Sequence, residues 1–122
     1  MTASEFLKMY EKATNSHDFT QVRPLIAEDA LYYFSDETLT GIIEIENAFK
    51  RTWSNIQAEI YTITDTHWLV STNDTAICVY GFHWSGLVNG TSKAGHGRGT
   101  NILQNQGGVW KMIHEHLSGE PT

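Results

Sequence analysis

The stretch Thr75-Ala-Ile-Cys-Val-Tyr-Gly-Phe-His-Trp-Ser-Gly-Leu-Val88, closed by Asn89-Gly90, decides the fold. Ala76, Cys78, Tyr80, Phe82 and Trp84 alternate with Ile77, Val79, Gly81, His83 and Ser85. That period of two places one set on each face of a β-strand. Asn-Gly is the strongest short hairpin signal, so another strand should return alongside. Both sets are largely apolar, whereas an antiparallel sheet with helices on one side ordinarily shows polar side chains on the other. The second face is therefore expected to lie between copies of the chain, in a homodimer or higher homo-oligomer. A central strand covered by its own loops is the plainer alternative.

Working outward, a strand from about Ala58 to Val70 breaks at Asn73-Asp74. Another runs from Thr91 to about Asn105 and turns at Gly107-Gly108, and the last runs from Val109 to Ser118. Upstream the period changes. Thr2 and Glu5 fit a capping box, and Phe6, Met9, Tyr10 and Ala13 share one helical face. Asp18 and Gln21 form a second cap-like pair before Val22, Leu25 and Ile26, although Pro24 removes an intrahelical donor unless it lies in the first turn. Leu31 to Phe34 reads as a short strand. A third helix, from about Gly41 to Ser54, carries the stripe Ile42, Ile45, Phe49 and Trp53. Helices followed by a long antiparallel meander make an α+β fold, three helices packed on one face of the sheet.

The 122 residues form one domain, residues 1–122, with no repeat or linker. A core in a chain of this size buries about 65–70% of its unfolded surface, enough to fold unaided. Net charge is -6, with eight Lys and Arg and no basic cluster, the wrong sign for neutralising nucleic-acid phosphates. Residues 1–61 hold ten acids and five bases, residues 62–122 four and three, so the strand half is nearly neutral. The single cysteine, Cys78, closes no internal disulfide, and the N-terminus lacks the basic start and apolar run of a signal peptide. A reducing cytoplasm is the expected setting. No stretch approaches the roughly 20 apolar residues of a membrane span. Four Trp, five Tyr and five Phe suggest an interior built around something, or a large interface.

Three groups of residues could carry chemistry. In Gly95-His-Gly-Arg-Gly-Thr-Asn101, three glycines and Asn101 share one strand face and His96, Arg98 and Thr100 the other. A face without side chains is either a bend or the floor of a pocket. No helix follows and the glycine spacing is wrong, so this is not a phosphate loop. His114 and His116 share a strand face, and Gly108, His114, His116 and Glu120 stand at the spacing of a cupin metal motif. The barrel and further histidine that motif requires do not follow, so no metal or other cofactor is expected. Hydrogen-bonded histidines at an interface or in a network are the simpler reading of His114 and His116. His83, in a strand free of formal charge, is either a satisfied structural residue or a general base. Cys78, mid-strand among apolar residues, should be inert.

Trp110-Lys-Met-Ile-His-Glu-His-Leu-Ser-Gly-Glu-Pro121 resembles the end of the association (hub) domain of calcium/calmodulin-dependent protein kinase II. Phe49-Lys-Arg-Thr-Trp53 and Asp74-Thr-Ala-Ile-Cys78 can be laid on the same domain, and Gly97-Arg-Gly-Thr100 is similar to SnoaL-like and DUF4440 domains. All belong to the NTF2-like superfamily, which includes ketosteroid isomerase and scytalone dehydratase. The resemblance implies a cone, or cystatin-like α+β roll, whose curved antiparallel sheet wraps a helix around a pocket, with copies joined sheet to sheet. The hub's pocket arginines fall on His83, Asn101 and Leu117, so the charge that suits carboxylates is largely missing. The same alignment turns His83 and the Gly95, Gly97, Gly99 and Asn101 face toward the pocket, and His114 and His116 away from it.

The resulting expectation is a small, largely apolar ligand in an aromatic pocket, with isomerase, dehydratase or cyclase chemistry if the protein is catalytic. His83 would be the base, with Asn101 and Tyr33 orienting the substrate or stabilising an oxyanion. Trp53, Gly97, Gly99, Arg98 and Glu115 would line the pocket. The alternative is a non-catalytic oligomerisation module like the hub.

Overall fold

The computed structural model describes residues 1–119. Glu120 of the metal-like spacing and Pro121 of the C-terminal motif lie outside the described residues. Helix α1 (Ala3–Asn15) opens with the expected capping box: Thr2 Oγ1 accepts from Glu5 N at 3.1 Å and Glu5 Oε1 from Thr2 N at 3.0 Å. Helix α2 (Phe19–Val22) is a single turn capped by Asp18. A 3-10 turn over Arg23–Leu25 follows, with Pro24 at its start, where a missing N–H costs nothing. Strands β1 (Ile26–Tyr33) and β2 (Thr38–Thr40) precede helix α3 (Ile42–Asn55). The meander is β3 (Gln57–Ser71), β4 (Thr75–Val88), β5 (Thr91–Gln106) and β6 (Val109–Gly119).

The sheet runs β2-β1-β6-β5-β4-β3. Every neighbouring pair is antiparallel except β1 and β6, which are parallel. The expected antiparallel sheet is therefore mixed, because α3 and the intervening strands form a crossover long enough to reverse direction. Strand β1 also begins five positions before Leu31. Glu28 and Asp29 inside it are exposed at an irregularity against β6, so their polarity disguises the strand as a loop. Strand β2 was not expected either; Phe34 N donates to Glu37 O at 2.9 Å to close the turn into it.

Two faces result. Ala76, Cys78 and Tyr80 are buried beneath the helices with Leu103, Met112, Tyr32 and Phe6, while His83 and Ser85 are exposed on the outer side. Strand β3 shifts register three times against β4, and Ala58 and Asp65 adopt positive φ at two of those shifts. Such bulges add twist and curl the sheet around the helices.

Two local devices shape the inner face. In β6, Leu103 pairs with Met112 but Ile102 pairs with His114, so Ile113 is an extra residue. Simple alternation from Trp110 and Met112 would send His114 and His116 inward. The bulge reverses the phase and sends Glu115 and Leu117 inward instead. In β5, Gly95, Gly97 and Gly99 stand opposite Trp84, Phe82 and Tyr80. A Cβ at these glycines would lie 2.4 Å from Trp84 Nε1, 2.7 Å from the Phe82 ring and 2.4 Å from the Tyr80 ring. The space beside the glycines is thus filled by three aromatic rings. Gly97 and Gly99 are seats for rings rather than the floor of a pocket, which corrects that expectation. Among the described residues no helix is long and apolar enough to cross a membrane.

Candidate functional site

Two of the seated rings, Phe82 and Trp84, form part of the wall of a cavity of about 220 Å³. Helix α1 contributes Tyr10 and Thr14, and α3 contributes Ala48, Phe49, Thr52 and Trp53. The sheet and the segments leading into it contribute Phe34, Ile56, Tyr61, Phe82, Trp84 and Leu117. Among the described residues, Glu59 and Glu115 are the carboxyls in this apolar lining. Phe49 stands edge-on to Trp53 at 5.6 Å between centroids, and Tyr61 stacks on Phe82 at 5.9 Å. Both are favourable aromatic geometries that hold the walls in place.

Glu115 is 3% exposed. Burial pushes its carboxyl from 4.5 up to about 7, against the opposing pull of hydrogen-bonding groups on Tyr10, Asn101 and Tyr80. Desolvation is the dominant cause, as a charge in an apolar interior loses its hydration. Around it the phenols are kept neutral: burial, reinforced by the Glu115 charge, drives Tyr10, Tyr32, Tyr61 and Tyr80 well above the usual phenol range. Tyr80 Oη donates to Asn101 Oδ1 at 2.8 Å, and the Tyr10 and Tyr32 hydroxyls share a hydrogen bond of 2.9 Å. Asn101 Nδ2 and Tyr61 Oη are buried with no partner at hydrogen-bond geometry, an arrangement that costs free energy unless something supplies one.

Glu59 is 9% exposed, and burial raises its pKa while nearby His17 lowers it. Its carboxylate makes no hydrogen bond and no ion pair with the described residues. His17 has φ 57, which swings its ring over Trp53 at 5.4 Å between centroids. Its Nε2 lies 2.9 Å from the Glu59 main-chain oxygen. That oxygen can only accept, so Nε2–H donates there and not to the carboxylate.

The residues singled out from the sequence divide between the two faces. Trp53 and Glu115 line the cavity, and Asn101 is fully buried beside Glu115 through Tyr80. His83 does not face the cavity. It is exposed on the outer face, stacked against His96 at 5.8 Å, because its position in β4 has the opposite parity to the ring-bearing residues. Tyr33 is likewise on the outer face, 39% exposed, edge-on to His114 at 5.2 Å and His116 at 5.7 Å. Its neighbour Tyr32 is the phenol that points inward. Arg98 is exposed on the outer face opposite Gly81. His114 Nδ1–H donates to Leu31 O at 2.6 Å, which commits that nitrogen to the backbone. Among the described residues no group of three or more His, Cys, Asp and Glu could hold a metal ion.

The sequence reading missed Tyr10, Glu59 and Tyr61. For Tyr10 the signal was hidden in an ordinary helix stripe. Glu59 and Tyr61 lie at i and i+2 in β3, on the side shared with Ile63, but the bulge after Gln57 obscures the alternation. Chemically, the site offers a proton-exchanging carboxyl, neutral hydroxyls and an apolar enclosure. It offers no activated thiol: burial pushes Cys78 up to about 12.

A helix-wrapping curved sheet with a cavity at its wide end is the NTF2-like, or cystatin-like, fold. The SnoaL-like domain family matches residues 4–121, and the chain belongs to that family. Among solved structures, a candidate calcium/calmodulin-dependent protein kinase II association domain from Xanthomonas campestris superposes with a TM-score of 0.85 at 20% identity, covering 97% of this chain and 85% of that one. An NTF2-like superfamily protein from Salmonella enterica gives 0.86 at 17% identity, with 97% and 88% covered. A candidate aromatic ring hydroxylase from Novosphingobium aromaticivorans gives 0.85 at 16% identity, with 99% and 88% covered. Likeness at these identities establishes the fold alone. No curated protein matches the chain.

Proposed function

We propose that this SnoaL-like protein binds a small, largely apolar molecule in the cavity and that Glu115 exchanges a proton with it. The observation that carries this reading is a carboxyl buried in an aromatic enclosure, where desolvation pushes it up to about 7. A proton donor or acceptor works best when its pKa lies near the working pH, and burial is how a glutamate reaches that value. The neutral phenols that line the cavity, Tyr10 and Tyr61, supply donors for an oxygen that gains charge as the proton moves. Isomerisation, dehydration and cyclisation are the reaction types such a set can serve, with Glu115 in the role expected of His83 when the family resemblance turns that residue toward the pocket. Ligand size is limited: an apolar cavity of 150 Å³ takes up benzene, so this one suits a ring with about two or three further heavy atoms.

Carbon-13 NMR of the glutamate carboxyls tests the reading. Glu115 should titrate near neutrality and its signal should shift when 2-phenylethanol is added. A titration at the ordinary carboxyl value, or a signal indifferent to the probe, would overturn it.

The outer face supports a second reading, association between copies. Ile60, Val70 and Leu87 are 61%, 38% and 38% exposed there, alongside Tyr33. Light scattering after size exclusion distinguishes the cases: a dimer is compatible with a ligand-binding protein, a large ring with an assembly module, and a monomer overturns association.

A further inference from the structure

The charge inside the cavity is all of one sign. Glu59 and Glu115 line it, and among the described residues no Lys or Arg does. Glu115 is surrounded by the polar groups of Tyr10, Tyr80 and Asn101. Glu59 has none: its carboxylate lies at the cavity wall without a donor, since the nearest imidazole, His17, is committed to the backbone. The Glu59 carboxylate is partly desolvated and opens on the cavity, and a cation with N–H groups entering there gives it a charge-assisted partner. Two residues on in the same strand, the Tyr61 hydroxyl is buried with the Tyr80 hydroxyl beside it but no partner at full hydrogen-bond geometry, and it lies in the field of Glu115, Glu59 and Glu11 together. The rest of the wall is aromatic, and ring faces attract cations, most strongly where water is excluded.

We propose that the cavity selects a small hydrophobic amine in its protonated form. The ammonium group sits between the Glu59 carboxylate and the Tyr61 hydroxyl, and the apolar body lies among Phe49, Trp53 and Trp84. This rests on the reading of the cavity as a ligand site and names the class of ligand. The phenol oxygen accepts one ammonium N–H and the carboxylate accepts another, so both unsatisfied groups gain a partner in one event. The same field disfavours carboxylates of equal size. The net charge of -6 acts in the same direction at longer range, drawing cations toward the chain.

Titration calorimetry of the intact chain at neutral pH with three probes of one skeleton tests the assignment: phenethylamine, 2-phenylethanol and phenylacetate. Phenethylamine should bind about tenfold or more tightly than the alcohol, and phenylacetate should bind most weakly. In Glu59→Gln the amine should fall to the level of the alcohol. The wild-type comparison needs no variant, so it decides the matter even if Glu59→Gln fails to fold. Equal affinity for amine and alcohol, or tightest binding of phenylacetate, overturns the amine assignment while leaving the cavity a ligand site. Binding of none of the three at millimolar concentration overturns both. An amine preference that survives in a folded Glu59→Gln overturns the placement of the ammonium group.

Discussion

The two faces of the sheet are built from the same strands and differ in almost everything else. The inner face carries three ring-over-glycine pairs, a fully buried glutamate and a buried asparagine. The outer face carries His83 and His96 stacked across two strands, His114 and His116 around Tyr33, and the exposed Arg98. The residues that look most chemical in the sequence, the histidines, are on the wet side. The carboxyl that burial brings to about 7 is a glutamate between two of them. Environment, more than residue type, decides which group is poised for chemistry.

The contrast can be broken at several points. The largest effect should come from Glu115. Its pKa in the folded chain is raised from 4.5 to about 7, so the folded state holds its proton more tightly than the unfolded state. The associated stability is complete below pH 4.5 and is lost as the pH rises through about 7. Two and a half units correspond to roughly 3 kcal/mol. Glu115→Gln cannot ionise, so in urea unfolding it should gain on the native chain between those limits and exceed it at alkaline pH. A pH profile identical for both proteins would show that Glu115 is not buried in solution.

Next is Gly97→Ala, where the new methyl would meet Ser118 O at 2.2 Å and the Phe82 ring at 2.7 Å. A clash with backbone cannot be relieved by a rotamer, so about 1–3 kcal/mol of stability should be lost in a denaturant melt. An unchanged midpoint would mean that Phe82 does not rest on Gly97. His114→Ala should cost about 1 kcal/mol through the hydrogen bond to Leu31 O. The smallest effect belongs to His83→Ala: within about 0.5 kcal/mol in stability, with affinity for cavity probes unchanged. Loss of probe binding in a folded His83→Ala would reverse the assignment of the faces.

Much of the fold was legible in the sequence. The capping box at Thr2, the stripe from Ile42 to Trp53 and the alternation from Thr75 to Val88 each report a local period that packing leaves intact. The parallel pairing of β1 with β6 was not legible, because it joins residues far apart in sequence and Glu28 and Asp29 interrupt the apolar run. The site was half legible for a related reason. Trp53 and Glu115 line the cavity as expected from the sequence, but alternation cannot say which set of β4 residues meets the helices, and the family resemblance turns His83 to the wrong side. Nor does any local pattern announce that Ile113 is an extra residue, although its presence determines that Glu115 points inward.

The cavity-lining rings of Trp84 and Phe82 rest on glycines with no room to spare. A side chain pinned in this way has already surrendered its rotational freedom when the chain folds, so little remains to be surrendered when a guest enters. Such a wall discriminates by outline. It should accept a molecule that matches its contour quickly and without rearrangement, and it should refuse one that is a methyl group too wide, because the glycines behind it leave nowhere for the rings to retreat.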